Sequence, residues 1–196
     1  DYNVTVGANA HANAHSNAGD TAIGYKAGFY GRDDYSVAVG YQAGYGNAAQ
    51  TAGAQNVYLG AESGYKSKAS TGNIGVGYKS LYDLNDGEYN IGLGWSALEN
   101  ITDGDNNITI GKSAGDNITT GSDNIIIGNT VDASAADATN ELRIGKGAVL
   151  PLSANLSTGT VTINSAYTLP TAVPGANDYV LTAQTDGTTA WAAVSG

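Results

Sequence analysis

The sequence predicts an all-β fold, a β-solenoid (parallel β-roll) in which about nine coils of 17 residues stack along one axis. Three observations lead to this class. A five-residue motif recurs along the chain, its apolar residues alternate with the period of a strand, and a glycine closes each copy. The motif has the consensus Asn-apolar-x-apolar-Gly, and its copies run from 3–7 (NVTVG) to 141–145 (ELRIG). A short repeat at fixed spacing is the signature of a solenoid, whose units bury their apolar faces only by stacking.

The closing glycines set the period of the repeat. Successive glycines are separated by 17, 16, 20, 17, 17, 17, 17 and 17 residues. A run of five equal intervals excludes coincidence. The 20-residue interval predicts a bulge of three residues within 48–55. The closing glycines are Gly7, Gly24, Gly40, Gly60, Gly77, Gly94, Gly111, Gly128 and Gly145.

The two apolar positions of each motif lie two residues apart, which is the spacing of a strand and not of a helix. We expect both apolar side chains to point into the coil and the residue between them to face outward. The first apolar column contains Val57, Ile74, Ile91, Ile108, Ile125 and Leu142. The second contains Leu59, Val76, Leu93, Ile110, Ile127 and Ile144. The residues between them are Tyr58, Gly75, Gly92, Thr109, Ile126 and Arg143.

Three further columns follow the same period. A small side chain stands three residues after the closing glycine, which suits a tightly packed position. A second glycine column lies in acidic turns and predicts positive φ, which glycine adopts without steric cost. An Asn column predicts a ladder of side-chain hydrogen bonds between coils. These columns are, in order, Ala27, Ala43, Ser63, Ser80, Ala97 and Ala114; Gly87, Gly104 and Gly121; and Asn56, Asn73, Asn90, Asn107 and Asn124.

The composition limits the partners. The chain has 196 residues, 28 of them Gly, with no Cys and a net charge of −10. Without Cys there is no disulfide, thiolate metal site or cysteine nucleophile. The eight Lys and Arg residues are too few and too scattered to bind a polyphosphate, so nucleic acid is not expected as a partner. No stretch has the length and hydropathy of a membrane span, so membrane insertion is not expected either.

The 17-residue rhythm stops near Lys146. We therefore predict two units, a solenoid repeat domain at 1–145 and a short separate β segment at 146–196 that could be interwoven between chains. Candidate strands in the second unit are 160–163, 179–182 and 189–194, with a turn at 185–187. Because the chain lacks Met and Asp1 begins at the edge of a repeat, we expect it to be an excised or processed segment.

The repeat units resemble those of bacteriophage tail fibres and are similar to coils in the head domains of trimeric autotransporter adhesins. The units that carry the resemblance read TAIGYKAG (21–28), SVAVGYQAG (36–44), NIGLGWSAL (90–98) and NITIGKSAG (107–115). The C-terminal stretches 166–170, 179–182 and 185–187, together with Trp191, are similar to a segment common in phage fibre-like proteins. The resemblance implies a homotrimer of parallel β-rolls, exported or virion-borne, that acts as a spacer or adhesin. The period of 17 departs from the adhesin head, whose repeat is shorter.

The histidines and acidic residues of the sequence give little support for a metal site or a catalytic site. His11 and His15 could ring a metal around a threefold axis, but two exposed histidines on a turn explain them as well. The acidic turns at 85–88, 103–105 and 122–124 lack the ligand spacing of known calcium loops. The same carboxylates sit at turn positions where solvation explains them, and they do not predict the paired acids of a glycosidase. We therefore expect no cofactor, no metal and no enzymatic activity.

Aromatic residues are the best candidates for a binding site. Tyr25, Tyr41, Tyr78 and Trp95 share one repeat position, directly after the closing glycine. A column of flat rings could stack on sugar faces. The competing interpretation, which we favour, is that the rings stack on one another or fill the contact between chains.

The sequence thus predicts a structural and adhesive module of an extracellular or virion-borne trimeric fibre, from a phage tail or a bacterial surface. Its expected partners are further copies of the chain, in a homotrimer or also end to end, and a cell-surface glycan. Two alternatives remain. One is a subunit of a self-polymerising extracellular filament, and the other is a glycan-binding or polysaccharide-degrading spike.

Overall fold

The structure is a computed structural model that describes residues 2–13, 18–30, 34–46, 53–163, 167–169, 179–183 and 189–193. Within these ranges the chain is all-β and contains no helix. The strands of the repeat domain are β1 Val4–Val6, β2 Thr21–Ile23, β3 Val37–Val39, β4 Val57–Leu59, β5 Ile74–Val76, β6 Ile91–Leu93, β7 Ile108–Ile110, β8 Ile125–Asn129 and β9 Glu141–Lys146. The later strands are β10 Val149–Asn155, β11 Thr160–Ile163, β12 Tyr167–Leu169, β13 Tyr179–Ala183 and β14 Thr189–Ala193.

Strands β1 to β9 form one parallel sheet in which each strand pairs with the next in the chain. Equivalent repeat positions lie side by side, as in the pairs Ile74↔Ile91 and Ile91↔Ile108. The predicted β-solenoid is therefore confirmed, with nine rungs joined by about eight turns. At about 4.8 Å per rung the repeat domain is a rod of about 38 Å.

The side chains of the strands face the opposite way from the prediction. The residue between the two apolar positions is buried in β2 to β8, and the residues on either side of it are half-buried or exposed. At the two ends of the repeat domain this position is exposed in β1 (Thr5) and half-buried in β9 (Arg143). Thr109 is fully buried, whereas Ile110 next to it is 40% exposed. Tyr58 is likewise buried between the half-buried Val57 and the exposed Leu59. The alternation was correct but its direction was wrong, because a period of two does not say on which side of the strand the coil closes.

The core lies between the strand and the rest of the coil. It contains the residues between the two apolar positions in β2 to β8, the small column three residues after the closing glycines, and a column of branched residues further along the turn. The small column is fully buried from Ala27 to Ala114, as the sequence predicts. The branched residues are Leu84, Ile101 and Ile118, each with no exposed surface.

The Asn ladder is confirmed. In each step the Asn side-chain oxygen accepts both the backbone N–H and the side-chain N–H of the next Asn. For Asn90 and Asn107 these distances are 3.0 and 2.9 Å. The remaining N–H of Asn107 donates to the carbonyl of Gly121 at 2.9 Å. All donors and acceptors of these buried amides are therefore used, which removes the cost of placing polar groups in a core.

The two glycine columns serve different purposes. The closing glycines from Gly7 to Gly128 have φ between +127° and +145°, and a Cβ on Gly94 would lie 2.3 Å from the Gly111 carbonyl oxygen. Gly87, Gly104 and Gly121 do not have positive φ, so that prediction was wrong. They are glycines because a Cβ would collide with the next coil, at 2.1 Å from the Gly121 carbonyl oxygen in the case of Gly104.

The C-terminal strands extend the same sheet in antiparallel fashion. Strand β10 pairs with both β9 and β11, and β12 pairs with β11. The boundary predicted at residue 145 falls within β9. The strands predicted at 160–163, 179–182 and 189–194 correspond to β11, β13 and β14, of which the last two form a separate antiparallel pair. The predicted turn at 185–187 and most of the predicted bulge at 48–55 lie outside the described residues.

Candidate functional site

The four aromatic residues predicted as a site form two pairs of contacting rings and not one continuous stack. Tyr25 stacks on Tyr41 with ring centroids 5.5 Å apart and planes within 17°. Tyr78 and Trp95 lie 4.6 Å apart with a tilt of 48°. Tyr25, Tyr41 and Trp95 are 43%, 51% and 57% exposed, and Tyr78 is half-buried. We call these four residues the first aromatic column.

Ala61 interrupts the first aromatic column. It occupies the repeat position directly after Gly60, where the neighbouring coils carry Tyr41 and Tyr78. The coils nevertheless stay in register, because the Glu62 N–H donates to the Tyr41 carbonyl at 2.8 Å and the Lys79 N–H donates to the Ala61 carbonyl at 3.0 Å. The column therefore lacks one ring between Tyr41 and Tyr78, and we call the resulting space the gap.

A second aromatic column was missed by the sequence analysis. It consists of Phe29, Tyr45, Tyr65 and Tyr82, five residues after successive closing glycines. Their rings stack continuously, with centroid distances of 5.3, 5.0 and 5.1 Å and planes within 13° of each other. Burial within this stack raises the pKa of Tyr45. Aligning the repeats on the closing glycine would have revealed the column.

Cations lie between the two aromatic columns. Lys26 Nζ is 5.5 Å from the Tyr25 ring and 5.2 Å from the Phe29 ring. Lys79 Nζ is 5.5 Å from the Tyr78 ring and 5.0 Å from the Tyr82 ring. Each is at a cation–π distance from one ring of either column. This face of the rod is therefore both aromatic and polar.

Lys79 also bridges two carboxylates on neighbouring coils, with Nζ 3.9 Å from Glu62 and 3.8 Å from Glu99. Lys66 pairs with Asp83 at 2.6 Å, and this hydrogen bond raises the pKa of Lys66. All three ion pairs are partly exposed, so each contributes little to the free energy of folding.

The outward residues of β1 to β9 form what we call the apolar stripe. All are Val, Ile or Leu except Thr21. They are half-buried or exposed, for example Val4 at 51%, Val6 at 56% and Ile110 at 40%. The stripe consists of Val4, Thr21, Val37, Val57, Ile74, Ile91, Ile108, Ile125 and Leu142 in one row and Val6, Ile23, Val39, Leu59, Val76, Leu93, Ile110, Ile127 and Ile144 in the other.

Two of the polar residues considered for metal binding, His11 and Asp105, have partners within the fold. His11 Nε2 lies 3.3 Å from Asp20 Oδ2 in the first coils, while His15 is outside the described residues. Asp105 accepts the Glu88 N–H at 2.8 Å and so links two turns. Among the described residues no three His, Asp or Glu side chains are grouped closely enough to hold a metal ion. Nor do those residues include a helix that could span a membrane.

These features define the chain as a β-solenoid repeat protein with an apolar sheet face and an adjoining aromatic face. Comparison with protein-family models, with curated proteins and with solved structures gave no match.

Proposed function

We propose that this chain is a structural module of an extracellular or virion-borne fibre, in which three copies lie side by side and parallel with their apolar stripes together. The observation that carries the proposal is the apolar stripe itself. It runs along all nine rungs of the sheet without a charged side chain.

An apolar surface of this extent is costly to leave in water. The stripe is about 38 Å long and, with its side chains, about 10 Å wide, so its area is on the order of 400 Å². An apolar patch of this area is as large as the largest patch on a typical soluble monomer, and such a patch is often a functional surface. Covering it would supply the association energy that the thin core of a single rod lacks.

A further copy of the chain is the partner that fits the stripe best. The side chains of the stripe repeat about every 4.8 Å along the rod. A surface with the same repeat can interdigitate along its whole length, and a parallel copy has it by construction. Identical elongated chains associate most simply around a rotation axis along the rod. The resemblance to tail-fibre and adhesin repeats supports three copies, an extracellular or virion location and a role without catalysis.

Light scattering of the purified protein tests the proposal. We expect a mass near 59 kDa, three times the chain mass of 19.8 kDa. Leu93→Asp places a charge in the stripe and should give monomers. Thr120→Asp, which adds the same charge at an exposed position outside the stripe, is the matched control and should remain trimeric. A stable monomer for the unmodified chain would refute the assembly.

Electron microscopy separates this proposal from the alternative of end-to-end polymerisation. A lateral trimer should appear as short rods of constant length. A self-polymerising subunit should instead form threads that lengthen with protein concentration. The stripe favours the first result, because it lies along the rod and not at its ends.

A further inference from the structure

We propose that the gap in the first aromatic column, between Tyr41 and Tyr78 above Ala61, binds one pyranose residue of the β-gluco configuration. The inference rests on the proposed function, because it names the glycan class to which a fibre of this kind would attach. It differs from the site expected from sequence, which used the rings of all four residues as one surface.

The gap lies between the rings of Tyr41 and Tyr78, which occupy the same repeat position two coils apart. The Tyr25 and Tyr41 rings are nearly parallel and one coil apart, so their planes lie across the rod axis. The second face of Tyr41 therefore points toward the coil of Ala61, and Tyr78 bounds the gap from the other side. Ala61 is too small to cover either ring. Within each pair, by contrast, the facing surfaces of the rings are already in contact with each other.

The width of the gap suits a saturated ring. Two rungs separate Tyr41 from Tyr78, which is about 9.6 Å. A flat group held by carbon contacts of about 3.5–4.0 Å on both faces needs only about 7–8 Å. A pyranose chair is puckered, so its carbons need more room between the two faces than those of a flat ring. The gap is therefore wider than a flat aromatic ligand needs and has room for a puckered sugar ring.

One flank of the gap offers hydrogen-bonding groups for sugar hydroxyls. Gln42, Glu62 and Lys79 follow Tyr41, Ala61 and Tyr78 directly in the chain and are each half-buried. Together they provide an amide, a carboxylate and an ammonium group. The Lys79–Glu62 distance of 3.9 Å is long for an ion pair, which leaves capacity for a hydroxyl between them.

The two ring faces also determine which sugar fits. In a β-glucopyranoside every ring substituent is equatorial, so both faces of the chair present only axial C–H groups. Aromatic faces carry negative potential and attract such C–H groups. A β-galactopyranoside has an axial hydroxyl at C4, which would press a polar group against one of the two rings. We therefore expect the gluco configuration to be preferred.

Saturation-transfer NMR on the trimer, with methyl β-D-glucopyranoside and methyl β-D-galactopyranoside as probes, tests the site. We expect saturation transfer to the glucoside, with the galactoside bound about two- to tenfold more weakly, as for the loss of one ring contact. Ala61→Tyr should abolish transfer, because it fills the gap with a ring and continues the existing stack. Tyr41→Ala should weaken binding to a similar degree as the change of sugar.

The controls keep the test independent of folding and assembly. Tyr25→Ala removes a ring from the same column without touching the gap and should bind the glucoside as the unmodified protein does. Ala61→Tyr should melt at the same temperature or higher, which shows that lost binding is not lost structure. Equal transfer to both sugars, or binding that survives Ala61→Tyr, would overturn the site. If light scattering shows the trimer but neither sugar binds, the glycan site fails while the proposed fibre role stands.

Discussion

The ring of Tyr58 occupies the space that a side chain at Gly64 would fill. A Cβ on Gly64 would lie 2.4 Å from Cδ1 and Cε1 of the ring. In the next coil the sizes are exchanged, since the middle strand residue is Gly75 and the residue six positions later is the buried Leu81. In each of these two coils one large side chain fills the interior, so the strand and the turn that follows it share one packing site.

This complementarity predicts a rescue experiment. Gly64→Leu alone should overpack the coil against Tyr58 and lower the free energy of unfolding by about 1–3 kcal/mol. Adding Tyr58→Gly reproduces the Gly75 and Leu81 arrangement and should restore much of the loss. Leu81 has φ +56°, so the backbone at this repeat position already accommodates Leu. Chemical denaturation of the three variants measures the effect, and a double variant no better than the single one would contradict it.

The direction of the strand side chains predicts opposite results for adjacent substitutions. Thr109→Asp buries an unpaired charge in a fully enclosed position and should cost several kcal/mol of stability, which is about the whole margin of a marginal repeat protein. Ile110→Asp faces outward and should leave the coil folded while weakening association. Circular dichroism melting and light scattering distinguish the two effects. Greater loss of folding at Ile110 than at Thr109 would restore the original assignment of the faces.

The amide ladder predicts a large effect from one buried side chain. Asn107→Ala leaves the Asn90 oxygen without one donor, the Gly121 carbonyl without its partner, and the Asn124 N–H groups without an acceptor. We expect the free energy of unfolding to fall by about 2–4 kcal/mol, since each buried orphan group costs about 1–3 kcal/mol and some will rebind water. Lys112→Ala, at an exposed position five residues later, is the control and should change stability by less than about 0.5 kcal/mol.

Replacing Asp116 by Asn should raise stability in a pH-dependent way. Burial, followed by a hydrogen bond and charge repulsion from Asp132, raises the pKa of Asp116 above its ordinary 3.8. A raised pKa in the folded state means that this group favours folding below pH 3.8 and that the benefit is lost as the pH rises through the folded value. Asp116→Asn should therefore raise the melting temperature at pH 7, and the gain should shrink as the solution is acidified.

The control for this substitution is Asp103→Asn at an exposed turn position, which should show no comparable gain at pH 7. Asp132→Asn removes the other member of the pair and should act in the same direction as Asp116→Asn. Melting curves across pH 3–7 provide the comparison. A lower melting temperature for Asp116→Asn at pH 7 would mean that the charged carboxylate is stabilising in the fold.

Particular residues show how far the sequence could be interpreted. The closing glycines fixed the period, and five equal intervals between Gly60 and Gly145 made the parallel register of β4 to β9 predictable. Asn107 and its equivalents were predictable as a ladder because a polar residue at one strand position can be satisfied by its copies above and below. The packing of Tyr58 against Gly64 was also predictable, because the large and small residues exchange places at these two positions in the next coil, Gly75 and Leu81.

The sequence by itself determined the solenoid, its rungs and its repeated hydrogen bonds, because all of these follow from identical residues at a constant interval. Only the tertiary structure decided which face of the strand is buried. That choice depends on the side to which the chain turns after each rung. The turns use non-glycine residues with positive φ, such as Lys79 and Leu81, and no local sequence pattern predicts this conformation for them. The same closure placed Tyr41 and Tyr78 on either side of Ala61, because residues 37 positions apart become neighbours only when the coils are stacked.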